Sequence, residues 1–447
     1  MPASVIPSAH CDLAKRIASA LFQEFAAEHQ SCDFSVRFWD GMDLSPTPRP
    51  RFTLVINHPS VLRNLFDSPN EVTLGESFIA GDLDVEGDLE AALRFAELLL
   101  SYKPKVSQQA ALKMLAAALP MISPMVRRRD DGLKGHVHSR ARDRAAVTRH
   151  YDVSNDFYRL WLDRHMIYSS AYFESPDEDL DTAQVRKLEY ICRKLMLRPG
   201  DRLLDLGCGW GGLIIYAAAH YGIHACGITL SARQSELAQE RIRSAGLAER
   251  CTVRVCDYRD VDGAEEYDRI VSIGMVEHVG QSMLATYFKQ AWRLLRPGGI
   301  FLNSGVAASA SYPRHDPSFI HHYVFPDGEL VPLHKTIQNA EMCGFEVRDV
   351  ESLRVHYALT LDNWVQRLEQ HAQEARRATD DVTYRIWKLY MVASARAFRT
   401  GHINLYQVLL SKPDHGDCHF PLTRRDWYED VSTAPEAKTC LAKPAEC

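Results

Sequence analysis

The stretch RLLDLGCGWGG, Arg202–Gly212, decides the reading of this chain. It runs as a short apolar strand, reaches Asp205, and turns at once into glycines at 207, 209 and 211. Without a Cβ, those positions let a nucleotide-like ligand lie against the backbone where a bulkier side chain would intrude. The residues that follow, LIIYAAAHYG, carry helical spacing. The loop therefore sits at the carboxyl edge of a strand, where open α/β sheets hold their ligands. Gly207, Gly209 and Gly212 also satisfy the GxGxxG dinucleotide fingerprint, which calls for an acid about 20 residues further on for the adenosine ribose. The next apolar run, IHACGITLS (Ile223–Ser231), has no acid at its end.

A loop that starts with an acid, DxGxGxG, resembles the cofactor loop of S-adenosylmethionine-dependent methyltransferases. The likeness indicates the class and says nothing of the substrate. The rest of the chain fits a large soluble enzyme. Its 447 residues are enough for two domains. Apolar content of 46% and charged content of 25% are ordinary for a globular protein, and a net charge of −6 gives no reason to expect nucleic acid as a partner. Eleven cysteines are scattered without a CxxC pair, so they read as buried thiols of a reducing compartment, with no metal site. The start, MPASVIPSAHCDLAKR, lacks the cationic head and apolar run of a signal peptide, and no apolar run is long enough to span a membrane. A cytoplasmic location is expected.

Residues 1–125 read as a small α+β domain. A helix over Asp12–Glu28 precedes the period-two segments FSVRFWDG and RFTLVINH, then LRNLF as a short helix, VTLGESFIAGDLDVEGD as a turn-rich strand region, and LEAALRFAELLLSY as an amphipathic helix. Residues 126–150 include the charge run RRRDDGLKGHVHSRARDRAAVTRH, for which two readings stand: a solvated linker, or a basic patch for anionic headgroups, each basic residue there being worth about 1 kcal/mol. Residues 151–412 alternate strand and helix. DRLLDLG, HACGITLS, CTVRVCD, DRIVSIGM and GIFLNSGVA predict a doubly wound, mostly parallel sheet, followed by one long helical stretch, TYRIWKLYMVASARAFRTGHINLYQVLLS. Residues 413–447 read as a polar, irregular tail.

Several segments in order resemble one family, the cyclopropane-fatty-acyl-phospholipid synthases and mycolic acid cyclopropane synthases. They are YDVSNDFYRLWLDRHMIYSSAYF, LDLGCGWGG, GITLSARQ, YDRIVSIGMVEHVG, LLRPGGIFL, HHYVFPDGEL, LRVHYALTLDNW and RAFRTGHINLYQV, together spanning 145–410. The amino-terminal unit is similar to the smaller domain of the longer members. The resemblance implies S-adenosylmethionine as cofactor. Tyr168 and Ser169 would then meet its methionine end, Asp205, Gly207 and Gly209 its underside, Thr229, Leu230 and Gln234 its ribose, and Tyr258 its adenine. Thr229 has a second reading as the cap of the following helix, with Ser231 as the other candidate cap. Tyr258 has one as a half-buried ring.

The resemblance also implies methyl transfer to the double bond of an unsaturated phospholipid acyl chain, then proton loss to close a cyclopropane. In the family a bicarbonate takes that proton from a cage built by the cysteine of YSCAYF, the glutamate of FEH, the histidine and a backbone group of HTI, and a late tyrosine. This chain keeps Glu277 and Tyr357, has Ser170 for the cysteine and Ser304 for the histidine, and puts Val306 at the backbone position. Both replacements are hydroxyls that donate and accept one hydrogen bond each, so an oxyanion cage remains open to it, as does Glu277 acting as the base. His278 reads as structural. The departures leave three alternatives beside ring closure: a methylene or methyl-branched product, a small-molecule methyltransferase, and a non-catalytic lipid binder. Apolar residues of Phe157–Leu162, His321–Phe325 and Trp387–Phe398 are expected at an acyl tunnel, against the plainer reading as core. Membrane contact would be peripheral and reversible at an anionic surface, with the small domain presenting lipid or forming a homodimer.

Overall fold

A computed structural model describes residues 8–29, 33–67, 69–102, 106–120, 133–151, 153–311, 318–417 and 420–428. The start of the charge run, 127–132, and most of the polar tail lie outside them. The described residues form two compact units.

The first unit carries a four-stranded sheet in the order β2-β1-β3-β4, with β1 Phe34–Phe38, β2 Asp43–Leu44, β3 Phe52–Ile56 and β4 Leu83–Gly87. β1 and β3 run parallel, and the two edge pairings are antiparallel. Phe25, Phe34, Phe52 and Phe95 interlock as its aromatic core; Phe34 and Phe95 stand 4.5 Å apart. The turn-rich strand expected at VTLGESFI is instead the helix Glu71–Ile79. Asn70 caps it in a reciprocal capping box with Thr73, which outweighs the β-branched residues inside. The unit is not one continuous amino-terminal segment, because residues 318–324 and 379–396 belong to it as well. Tyr323 donates to Glu76 Oε1 at 2.9 Å, and Arg385 pairs with Asp84 at 2.8 Å.

The second unit holds a seven-stranded sheet made of β5 Arg202–Leu206, β6 His224–Thr229, β7 Cys251–Val255, β8 Tyr267–Ile273, β9 Leu295–Ala308, β10 Glu346–Ser352 and β11 Ile403–Ser411. The order is β10-β11-β9-β8-β5-β6-β7. Every pairing among β5 to β9 is parallel, and β11 alone runs against its neighbours β9 and β10. β5 is central and buried on both faces, which is why it reads as an unbroken apolar run. The chain winds one way from β5 to β6 and β7 and the other way to β8 and β9, so the crevice between β5 and β8 is the topological switch point. The expected long helical stretch splits into the helix Asp381–Thr400 and β11. Gly401, at φ +78, ends the helix, and INLYQVLLS then pairs along its whole length with β9.

The charge run is not a linker in its described part. Arg140–Tyr151 is a helix of the second unit, with Ala146 and His150 buried. Arg140 and Arg142 engage Asp260 and Asp327 at 3.0 Å or less, so those two charges are committed within the unit.

Candidate active site

The glycine loop has the backbone its residues predict. Gly207, Gly209 and Gly211 all have positive φ, a conformation that side chains rarely adopt. A Cβ on Gly207 would also stand 3.2 Å from Met275 Cβ. The helix Gly212–Tyr221 begins at the carboxyl edge of β5 with no side-chain cap.

A cleft partly open to solvent lies over this loop. It is lined by all nine residues assigned to the cofactor from the sequence: Tyr168, Ser169, Asp205, Gly207, Gly209, Thr229, Leu230, Gln234 and Tyr258. Ser231, not Thr229, caps the following helix, its hydroxyl accepting from Gln234 N. Thr229 is thereby free for another role. Its hydroxyl donates to Gln234 Oε1 at 2.6 Å and so turns the amide of Gln234 in a set direction. Tyr258 packs edge-on against Tyr287 and under the Arg259 guanidinium, while its hydroxyl is buried and has no hydrogen-bond partner among the described residues.

Other residues of the cleft escaped the sequence reading. Asp143, Val147 and Tyr151 reach it from the helix Arg140–Tyr151, where the charge run concealed them. Arg259 ties that helix down by donating to Asp143 at 2.8 Å and to Asp257 at 2.6 Å. His278, read as structural, lines the cleft as well, and burial with nearby His138 pushes its pKa down to about 4. Lys187 is the least expected. A lysine in the helix Leu180–Lys194 reads as solvated, yet it is 3% exposed, and its Nζ donates to Ser169 Oγ at 2.9 Å. Burial lowers its pKa to about 8 against the pull of Asp163 and Asp205. Burial likewise raises Asp205 to about 7, with Lys187 opposing.

The five residues assigned to chemistry are not brought onto this one surface. β9 outruns β8, so the N–H of Val306 faces the space beyond the end of β8. Glu277, in the short helix Val276–Val279, fills that space and accepts from Val306 N at 2.6 Å through Oε1. Its Oε2 is buried without a hydrogen-bond partner among the described residues, and burial raises the carboxyl to about 7 against the Val306 N–H. Glu277 and Val306 line a second, smaller cavity with Asn303, Glu329 and Tyr406. That cavity has room for a water molecule. The close fit depends on Gly305, where a Cβ would lie 2.1 Å from Val276 Cγ1. Strand alternation puts Ser304 on the face opposite Asn303 and Gly305. Ser304 makes no side-chain hydrogen bond among the described residues, and Ser170 donates to its neighbour's carbonyl, Ala171 O, at 3.0 Å. Tyr357 packs with its ring tilted against Phe398, centroids 4.6 Å apart. Neither serine nor Tyr357 lines either cavity.

A family profile described as mycolic acid cyclopropane synthetase matches residues 138–408, and a domain of unknown function matches 21–98. A probable fatty acid methyltransferase of Pseudomonas putida is 40% identical over 402 residues, covering 88% of this chain and 95% of that protein. The cyclopropane-fatty-acyl-phospholipid synthase of Escherichia coli K12 is 39% identical over 263 residues, covering 59% of this chain and 66% of the synthase. Among solved structures, mycolic acid cyclopropane synthase CmaA1 complexed with SAH and CTAB superposes with a TM-score of 0.56 at 34% identity, over 60% of this chain and 97% of the other. No helix among the described residues is long and apolar enough to cross a membrane.

Proposed function

Since the chain belongs to the mycolic acid cyclopropane synthetase family of S-adenosylmethionine-dependent lipid methyltransferases, we propose that it methylates the double bond of an unsaturated phospholipid acyl chain and closes the product to a cyclopropane. The observation that carries this reading is Glu277, a buried carboxylate with one oxygen anchored on Val306 N and the other unpartnered among the described residues. When bound, S-adenosylmethionine supplies an electrophilic methyl; the alkene bonds to it, leaving a thioether and a cation on the acyl chain. A proton beside that cation is very acidic, so a weak base suffices if it is held in place and kept from water. Glu277, set between the cleft-lining Met275 and His278 but itself lining the neighbouring cavity, would turn its second oxygen toward the cleft to take the proton from the transferred methyl as the C–H electron pair closes the ring. The residues support the cofactor: the cleft offers Asp205 and Lys187 at one end and the Thr229–Gln234 pair along its side.

They suit a bound bicarbonate less well. The Val306 N–H already serves Glu277, the Ser170 hydroxyl serves a carbonyl, and neither serine shares a cavity with Glu277. We therefore assign the proton to Glu277 directly. A second reading, a methylene or methyl-branched acyl chain, draws on the same two serines and on the name of the Pseudomonas putida relative, a fatty acid methyltransferase. Peripheral contact with an anionic bilayer belongs to this reading too, as does a lipid-presenting or dimerising role for the first unit. Of the three segments expected at an acyl tunnel, the proposal keeps Phe157–Leu162 of the second unit; residues 321–324 and 387–396 belong to the first.

Mass spectrometry and NMR of lipids after turnover with unsaturated phospholipid and cofactor carrying 13C at the methyl test the proposal. Ring closure gives upfield cyclopropane protons on the labelled carbon, which keeps two of its three hydrogens. Vinylidene signals would select the branched reading, and an unchanged lipid pool would defeat both.

A further inference from the structure

Ser169 is held from below by two side chains one helical turn apart. Gln184 Nε2 donates to its carbonyl oxygen at 2.9 Å, and Lys187 Nζ donates to its hydroxyl at 2.9 Å. Both come from the helix Leu180–Lys194 and are 0% and 3% exposed. An ammonium carries three donors, and the Ser169 bond is the one hydrogen bond Lys187 makes among the described residues. Lys187 nevertheless lines the cofactor cleft, on the same wall as Ser169 and Asp205. Asp205 is 3% exposed, and its carboxylate has no hydrogen bond among the described residues. One end of the cleft thus presents a buried cation and a buried anion, each with bonding capacity left over. A buried charge is costly unless paired and hydrogen-bonded. A zwitterion that lays its ammonium on the acid and its carboxylate on the base would complete both.

We propose that Lys187 recognises the α-carboxylate of the cofactor's amino-acid tail, with Ser169 as the second donor, and thereby selects adenosyl ligands that carry a carboxylate. The assignment rests on the cofactor reading above, in which Tyr168 and Ser169 meet the methionine end. Lys187 is a long residue on an interior helix face, and a purely structural cation would need no outlet to the cleft. Gln184 belongs to the same device: by fixing the Ser169 backbone it keeps the hydroxyl beside Nζ.

The test is calorimetric binding, with no turnover, of S-adenosylhomocysteine and of its decarboxylated analogue, which keeps the adenosine, the sulfur and the amine. Losing one charge-assisted hydrogen bond to a carboxylate weakens binding roughly 10- to 100-fold. The unmodified protein should therefore prefer S-adenosylhomocysteine by about that factor. Lys187→Met should cut the preference to the share that Ser169 supplies, by weakening S-adenosylhomocysteine alone. Absence of a preference in the unmodified protein would overturn the assignment without any variant, which covers the case of a Lys187→Met chain that does not fold. An equal loss for both ligands in Lys187→Met, or no loss for either, would overturn it too, and would leave Lys187 as a counter-charge to Asp163 and Asp205. If the unmodified protein bound neither ligand, the cofactor reading itself would fall and take the assignment with it.

Discussion

Replacing Glu277 by glutamine should make the protein more stable at neutral pH while removing its activity. The carboxyl is raised from its ordinary 4.5 to about 7, chiefly by burial. At about 1.4 kcal/mol per tenfold change in proton affinity, the ionised form costs the folded state about 3 kcal/mol. Below pH 4.5 the group is protonated in both folded and unfolded chains. Between 4.5 and about 7 it ionises only on unfolding, so stability falls as pH rises, and above 7 the whole cost stands. Glutamine keeps an oxygen for the Val306 N–H and never ionises. The stability gap between the two proteins should therefore widen by about 3 kcal/mol from pH 4.5 to 8, a rise of roughly 5 to 10 °C in the relative melting midpoint. Product formation by the unmodified protein should climb with pH and level off above about 7, as expected for a base that must be ionised. The variant should lose about two to four orders of magnitude in turnover, with S-adenosylhomocysteine affinity little changed. A gap that stays constant with pH would show that Glu277 is not a strained buried acid. A parallel fall of rate and affinity would make it a cofactor ligand and refute the role given to it here.

Gly207→Ala should destabilise the second unit by about 1–2 kcal/mol, the usual cost of a side chain at left-handed φ, and should weaken S-adenosylhomocysteine binding, because the new Cβ presses on Met275; melting and calorimetry would read both. Lys194→Met should cost about 3 kcal/mol, at the low end for breaking a buried ion pair, since Arg424 still serves Asp349 at 2.7 Å. Its S-adenosylhomocysteine affinity should be unaffected, and a large change in affinity would place Lys194 in the site's support.

The sheet and the glycine loop were legible because their signals are local: a central strand buried on both faces is an apolar run, and positive φ at three alternating positions requires glycine. Order along the chain then singled out nine residues that share one cleft. Non-local arrangement stayed hidden. Nothing in LDTAQVRKLEYICRK marks Lys187 as facing inward, because lysine at helical spacing ordinarily faces water. Helical periodicity ran on from YRIWKLYMVASARAF into INLYQVLLS because both are apolar; only the pairing with β9 makes the second a strand. Likeness to a family also placed Ser170, Ser304, Val306, Glu277 and Tyr357 in one cage, but side-chain direction depends on strand face and on where a neighbouring strand stops. Those are properties of the assembled sheet.

The absent side chain at Gly305 limits the order in which this site can change. Val276 Cγ1 occupies the space where a Cβ at 305 would stand, and Glu277 follows Val276 directly in the same short helix. Installing the family's His-Thr-Ile at 304–306 in one step would drive the threonine into Val276 and lever the helix, and Glu277 with it, off the Val306 N–H. Residue 276 would have to change with it, as it does in the family, whose FEH carries phenylalanine there beside the threonine of HTI. The serine site and the histidine site are thus separated by a mutational valley: each intermediate with 305 filled and 276 unchanged loses the carboxylate's anchor before it gains an imidazole. Libraries that vary 276 and 305 together should recover active sequences that single-site scanning at 304, 305 or 306 misses.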